Sequence, residues 1–134
     1  MIGSGLTKYR DAGLLLLRIG LGIAFIWHGY PKLFGGPDAW RGIGGSIGVP
    51  EHMAPVAFGF VAGCIEFFGG ILLILGFLFR PACLLLLFQM LAALFLYHIR
   101  HGQGFDKFTQ AFEMAFVFAS LLLIGPGTYS VDRK

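Results

Sequence analysis

Three charged side chains lie inside stretches that are otherwise apolar: Arg18, Glu66 and Glu113. A guanidinium within reach of two carboxylates can bind a polar ligand head, and the carboxylates can pass protons to it. His28, Lys32, Gln89 and His98 add further polar groups in or near the same stretches. Arg18 falls 13 residues before Pro31, Glu66 falls 11 after Pro55, and Glu113 falls 12 before Gly125. At about 1.5 Å per helical residue, the three occupy overlapping depth. An isolated charge in hydrocarbon costs at least ~3 kcal/mol, so the spacing predicts a buried cluster of Arg18, Glu66 and Glu113. These are the candidate catalytic groups.

Around that cluster the sequence predicts a pocket. His28 and Lys32 are one turn apart and form its rim, while Gly29, Gly70 and other glycines of the first two apolar stretches leave volume beside the charges. His98 is a further ligand candidate, although in a regular helix it points to the side opposite Gln89. The bland alternative stays open: the charges simply hold helices together. Metal or haem is not expected. The H-x-x-H spacing occurs only at His98 and His101, without a carboxylate partner at metal spacing.

The elements that must position these groups follow from composition. The chain has 134 residues, of which 57% are hydrophobic and 13% charged, with a mean hydropathy of +0.79. Those values exclude an ordinary soluble domain and point to the lipid bilayer as the main partner. Apolar blocks over about 12–32, 55–79, 81–97 and 108–124 predict an all-α fold, an integral membrane antiparallel four-helix bundle forming a single domain over 1–134. Arg18 in the first block and the lack of a small-residue cleavage site favour a retained helix over a signal peptide. The ten Lys and Arg are scattered between blocks, so no nucleic acid is expected. Cys64 and Cys83 are 19 positions apart, which leaves no C-x-x-C pair.

Small residues share a face with the charges. Arg18, Gly22, Phe25, Gly29 and Lys32 recur at steps of 4, 3, 4 and 3, and Gly59, Gly63, Glu66 and Gly70 form a second stripe. The connection 34–54, rich in Gly, predicts an irregular loop with at most a short interfacial helix around Ala39 to Gly42. Arg80-Pro81 predicts a tight hairpin. With Arg18 set aside, five basic residues on the side of the termini against four on the other favour cytoplasmic N- and C-termini.

The order and spacing of Leu16-Leu17-Arg18, Gly22, Gly29-Tyr30-Pro31-Lys32-Leu33, Glu66, Gly69-Gly70, Gly76, Arg80, Phe112-Glu113, Gly125-Pro126-Gly127 and Tyr129-Ser130-Val131-Asp132 resemble the DoxX family of small four-helix membrane proteins. The resemblance covers nearly the whole chain. It implies the fold, a bacterial inner-membrane setting, and site positions at Arg18, Gly29, Lys32, Glu66, Gly70 and Glu113. It also implies a choice of functions. The family is named from archaeal membrane subunits of thiosulfate or quinol oxidation, some bacterial members join redox-stress complexes, and distant eukaryotic relatives are assembly factors. The first expectation is a quinone-interacting oxidoreductase subunit that relays electrons or protons with a redox partner protein. The second is a non-enzymatic assembly or stress-response subunit, and either could be a homo-oligomer. A solute or proton carrier fits less well, because the sequence shows no repeat and no paired broken helices.

Overall fold

The computed structural model describes residues 2–133, and among these every regular element is helical. A 3-10 turn, Ser4–Tyr9, leads into α1 (Arg10–Leu33). It is followed by α2 (Pro37–Ser46), α3 (Pro55–Leu75), α4 (Phe79–Ala92) and α5 (Phe105–Ile124). A π-helical segment, Ala93–Ile99, continues α4. Four stretches are long and apolar enough to cross a membrane: Ser4–Leu33, Pro55–Leu75, Phe79–Ile99 and Phe105–Ile124. They are the four blocks expected from the sequence.

The axis of the molecule is the crossing of α1 on α3. A Cβ built on Gly29 would lie 2.5 Å from the backbone nitrogen of Phe67, and one on Gly70 would lie 2.6 Å from the carbonyl oxygen of Gly22. Glycine is required at both positions because the two backbones touch. Further along, Gly63 meets Leu33. Gly29→Ala should therefore push the helices apart at the cost of overpacking, about 1–3 kcal/mol, and lower the melting temperature in detergent. Gly42→Ala, where an added Cβ meets nothing within 4 Å, should leave it unchanged or raise it.

The segment after α1 corrects the expected irregular loop. Here α2 is a ten-residue helix packed along α3, where a Cβ on Gly59 would overlap the backbone of Trp40 and one on Gly44 that of Pro55. Helices α1 and α2 thus follow one antiparallel course down α3 as a single broken helix. Pro31 near the end of α1, Gly36 at φ +89° and Pro37 at the start of α2 account for the break. The indole of Trp40 donates 2.7 Å to the Lys32 carbonyl and satisfies part of the interrupted ladder. Lys32 consequently ends up beside Gly63, eight residues or about 12 Å along α3 from Pro55, and not on a loop.

At the opposite end, α3 stops at Gly76 in the left-handed conformation (φ +65°), whose N–H bonds the Leu72 carbonyl at 2.8 Å. The hairpin is therefore Gly76–Leu78. Arg80 and Pro81 lie within the first turn of α4, where the missing proline N–H costs nothing. The chain's last turn folds back over this hairpin: Val131 and Asp132 donate to the carbonyls of Leu75 and Gly76, and the Asp132 carboxylate accepts from Phe79 N–H at 2.8 Å. Thr128 donates to Asp11, so both ends of the described chain lie on one side of the bundle. Leu73, Phe79, Cys83, Leu86, Phe118 and Leu121 form the fully buried core. On the remaining side, α1 and α5 meet through Phe25 and Phe118, with ring centroids 5.2 Å apart.

Candidate ligand site

The cation that reaches Glu66 is Lys32. Its Nζ lies 2.9 Å from each carboxylate oxygen, but it donates with hydrogen-bond geometry only to Oε1. Gln89 Nε2 approaches the same Oε1 at 3.4 Å. The Glu66 side chain is only 5% exposed, and its Oε2, wholly buried, takes no hydrogen bond from the protein. Both oxygens lie within ion-pair distance of the same ammonium, so the buried charge is compensated by Lys32. Lys32 is 37% exposed, so the pair is buried at one end and accessible at the other.

Two cavities adjoin the pair. One, of about 340 Å³, is walled by the end of α2 (Ile43, Ser46) and Ile47 just after it, by α3 and by α4, with Gln89, Tyr97 and His98 contributing. The other, of about 190 Å³, lies between α1, α3, α4 and α5 and reaches Phe25, His28, Lys107 and Gln110. Lys32, Glu66, Ala93 and His98 line both. Among the groups around them only Glu66 is anionic, whereas His28, Lys32, His98 and Lys107 are basic. That balance suits a ligand bearing carbonyl or hydroxyl oxygens.

The π-helical segment explains why Gln89 and His98 share a cavity, against expectation. A π turn takes more residues per turn than an α turn, so positions after Ala93 are rotated back relative to a regular helix. His98 is swung toward Gln89. Its Nδ1 lies 2.5 Å from Gln103 Oε1; because an amide oxygen only accepts, Nδ1 is the donor in that bond.

Two of the three residues expected in a central cluster are elsewhere. Arg18, 1% exposed, is bound entirely by main-chain carbonyls: Leu73 at 2.9 Å, Ile74 at 2.8 Å, Pro126 at 3.0 Å and Tyr129 at 2.9 Å. It sits at the C-terminal end of α3, where orphan carbonyls and the helix dipole both favour a cation. Glu113 lies on the outer face of α5, uncovered by protein. The reason is rotational: the inward positions of α5 are Ala111, Ala115 and Phe118, and Glu113 is half a turn from them. The expected Arg18–Glu66–Glu113 cluster is thus replaced by Lys32–Glu66 with Gln89.

Gly29 and Gly70 also differ from expectation. They line neither cavity, because close contact of α1 with α3 takes up the space their missing side chains leave. His28 is exposed and lines the smaller cavity, and His98 lines both. The wall supplied by α2 was missed, although Trp40, Ile43 and Ile47 at steps of 3 and 4 carry the helical signal for it. Among the described residues, no three of His, Cys, Asp and Glu come together as a metal-binding group.

Comparison with known proteins gives a consistent answer about kinship. The DoxX family pattern matches residues 13–99, the part of the chain that carries Lys32, Glu66 and the π segment. An uncharacterized protein of Haemophilus influenzae is 35% identical over 98% of this chain and 96% of its own length. The inner membrane protein YqjF of Escherichia coli is 32% identical over 96% of this chain and 95% of its own. A Bacillus subtilis protein named "Putative oxidoreductase CatD" is 35% identical over 66% of this chain and 62% of its own. No solved structure matches significantly. With most of the chain inside the family pattern, and relatives aligned nearly end to end, the protein is a member of the DoxX family of membrane proteins.

Proposed function

We propose that this protein is an inner-membrane subunit that holds the head of a lipid-soluble quinone between Lys32, Glu66 and His98 and manages its protons. The observation that carries this reading is the Lys32–Glu66 ion pair, 2.9 Å long and accessible at its lysine end, both of whose residues line the two cavities. The cavity of about 340 Å³ is at the lower end of small-molecule sites, roughly 300–1,000 Å³. It suits a ring head whose tail stays in the bilayer. The name of the Bacillus subtilis relative adds support for redox chemistry.

A bound quinone would supply the capacity to take up two electrons and two protons and become a hydroquinone. The chain's own residues serve the protons. Lys32 Nζ can donate to a carbonyl oxygen, the Glu66 carboxylate can accept a hydroxyl proton, and the neutral His98 imidazole offers a second acceptor. Gln89 and Lys32 hold the Glu66 carboxylate in place. Electrons would come from a partner protein carrying a flavin or iron–sulfur centre. With Lys32 paired inside the bundle, the basic residues stand five to three in favour of the side of the termini, which supports cytoplasmic N- and C-termini.

The test uses Trp40 as reporter, because its indole bonds the Lys32 carbonyl. In a Trp27→Phe background it is the sole tryptophan. A short-tailed ubiquinone should quench its emission saturably, and Lys32→Met or Glu66→Gln should each weaken binding at least about tenfold, the loss of one charged hydrogen bond. Arg41→Gln should leave binding unchanged. Equal affinity in all variants, or no saturable quenching, would instead favour a non-enzymatic subunit.

A further inference from the structure

Glu113 stands ninth among the 20 residues of α5, close to the middle of the span, and faces away from the bundle. The exposed rings of Phe112 and Phe116, which pack on each other with centroids 5.1 Å apart, lie on the neighbouring part of the same face, and among the described residues the Glu113 carboxylate takes part in no ion pair or hydrogen bond. A carboxylate in that position faces hydrocarbon unless something covers it. It also belongs to a stripe: Gln110, Glu113, Val117 and Ser120 recur at steps of 3, 4 and 3 along the edge of α5 nearest α1.

The facing edge of α1 carries a matching stripe. Leu17, Gly20, Ala24 and His28 recur at steps of 3, 4 and 4, all uncovered by protein. A Cβ on Gly20 would meet nothing within 4 Å, unlike those on Gly22 and Gly29, which face α3. Two contacts and a shared cavity give the antiparallel register of α1 against α5 and the tail after it. Leu14 lies against Gly127, Phe25 against Phe118, and His28 borders the same cavity as Gln110 and Met114. In that register His28 is level with Glu113, Ala24 with Val117, and Gly20 with Ser120.

We infer that a second copy of this chain docks on the α1/α5 face, with Glu113 bonded to His28 of the partner subunit and His28 to the partner subunit's Glu113. A two-fold axis along the membrane normal keeps every residue at its depth and sets α1 of each copy against α5 of the other, so both contacts form at once. Each chain supplies the acid and its complementary imidazole, so no foreign cation is needed. Gly20 and Ala24 let the incoming α5 approach, as Gly22 and Gly29 let α3 approach within the protomer. This pairing would roof the cavity of about 190 Å³ and leave the larger one, beside α2, for ligand entry. It does not depend on the ligand being a quinone.

The experiment co-expresses two differently tagged full-length chains in a Cys64→Ser, Cys83→Ala background, one carrying Gly20→Cys and the other Ser120→Cys. Only contact between copies can join them. Mild oxidation in native membranes should give a mixed-tag covalent dimer, and a Ser120→Cys chain replaced by Leu123→Cys should not. Glu113→Leu should reduce the dimer at least tenfold, and the exchange Glu113→His with His28→Glu should restore it. Because both positions are on the outer face, these variants should fold and insert as the parent does. Absence of the mixed dimer, a dimer insensitive to Glu113→Leu, or occupation of the Glu113 face by a different protein would each overturn the inference.

Discussion

Arg18→Ala should be the most damaging truncation in the molecule, lowering stability by about 3–5 kcal/mol and melting far below the parent in detergent. Four main-chain carbonyls converge on this one side chain, two at the end of α3 and two in the tail after α5. Its loss strands acceptors that have no water to turn to and opens a void in a fully packed region. Arg18→Met keeps the stem's packing and should be milder than Arg18→Ala, yet still well below the parent. Arg18→Lys should not rescue, because three donors on a point charge cannot serve four carbonyls arranged around a planar guanidinium. Limited proteolysis should show the same order, with cleavage in the tail after Gly125 appearing first in Arg18→Ala.

Lys32→Met should come next, and Lys32→Met combined with Glu66→Gln should recover much of what the single change loses. Removing the lysine leaves a carboxylate that is 5% exposed without its cation. Breaking such a pair costs ~3–5 kcal/mol when both partners are buried, and the partial exposure of Lys32 places the cost near or below the lower end of that range. The double change removes the charge that was left behind, and a neutral amide near Gln89 is far cheaper to bury. Glu66→Gln alone should be mild, since the amide oxygen still accepts from Lys32. Glu66→Ala should be worse because it adds a void. Melting curves of the five proteins in one detergent, analysed as a double-mutant cycle, check the order. Additive losses would show that the two side chains do not interact.

The four spans were legible because apolar length and glycine spacing are properties of side chains. The α1 stripe ending at Lys32 and the α3 stripe through Glu66 are the faces that meet. The partner of Arg18 was not legible, since its acceptors are carbonyl oxygens that any residue carries. Depth counting put Arg18 near Glu66, whereas the end of α3 at Leu73 and Ile74 offers a guanidinium more acceptors than one carboxylate does. Lys32 reads as a rim residue in the sequence because the first apolar block ends there. The break before α2 brings it inside. The π segment at Ala93–Ile99 has no residue signature, and it alone reverses the expected separation of Gln89 and His98. Glu113 was drawn inward by its charge, although the alanines and Phe118 that share α5 mark the opposite side as the core.

A photoreactive azido-quinone tests the ligand site most directly, because it reports position as well as binding. Illuminated with the parent protein in lipid nanodiscs, it should label the π segment Ala93–Ile99 and the α2 wall around Ile43 to Ile47. Unlabelled quinone should compete that label away, and Glu66→Gln and Lys32→Met should abolish most of it. Label confined to lipid-facing side chains such as Phe88 and Phe116, not competed by quinone and unchanged in both variants, would contradict the assignment of Lys32 and Glu66 to a quinone site.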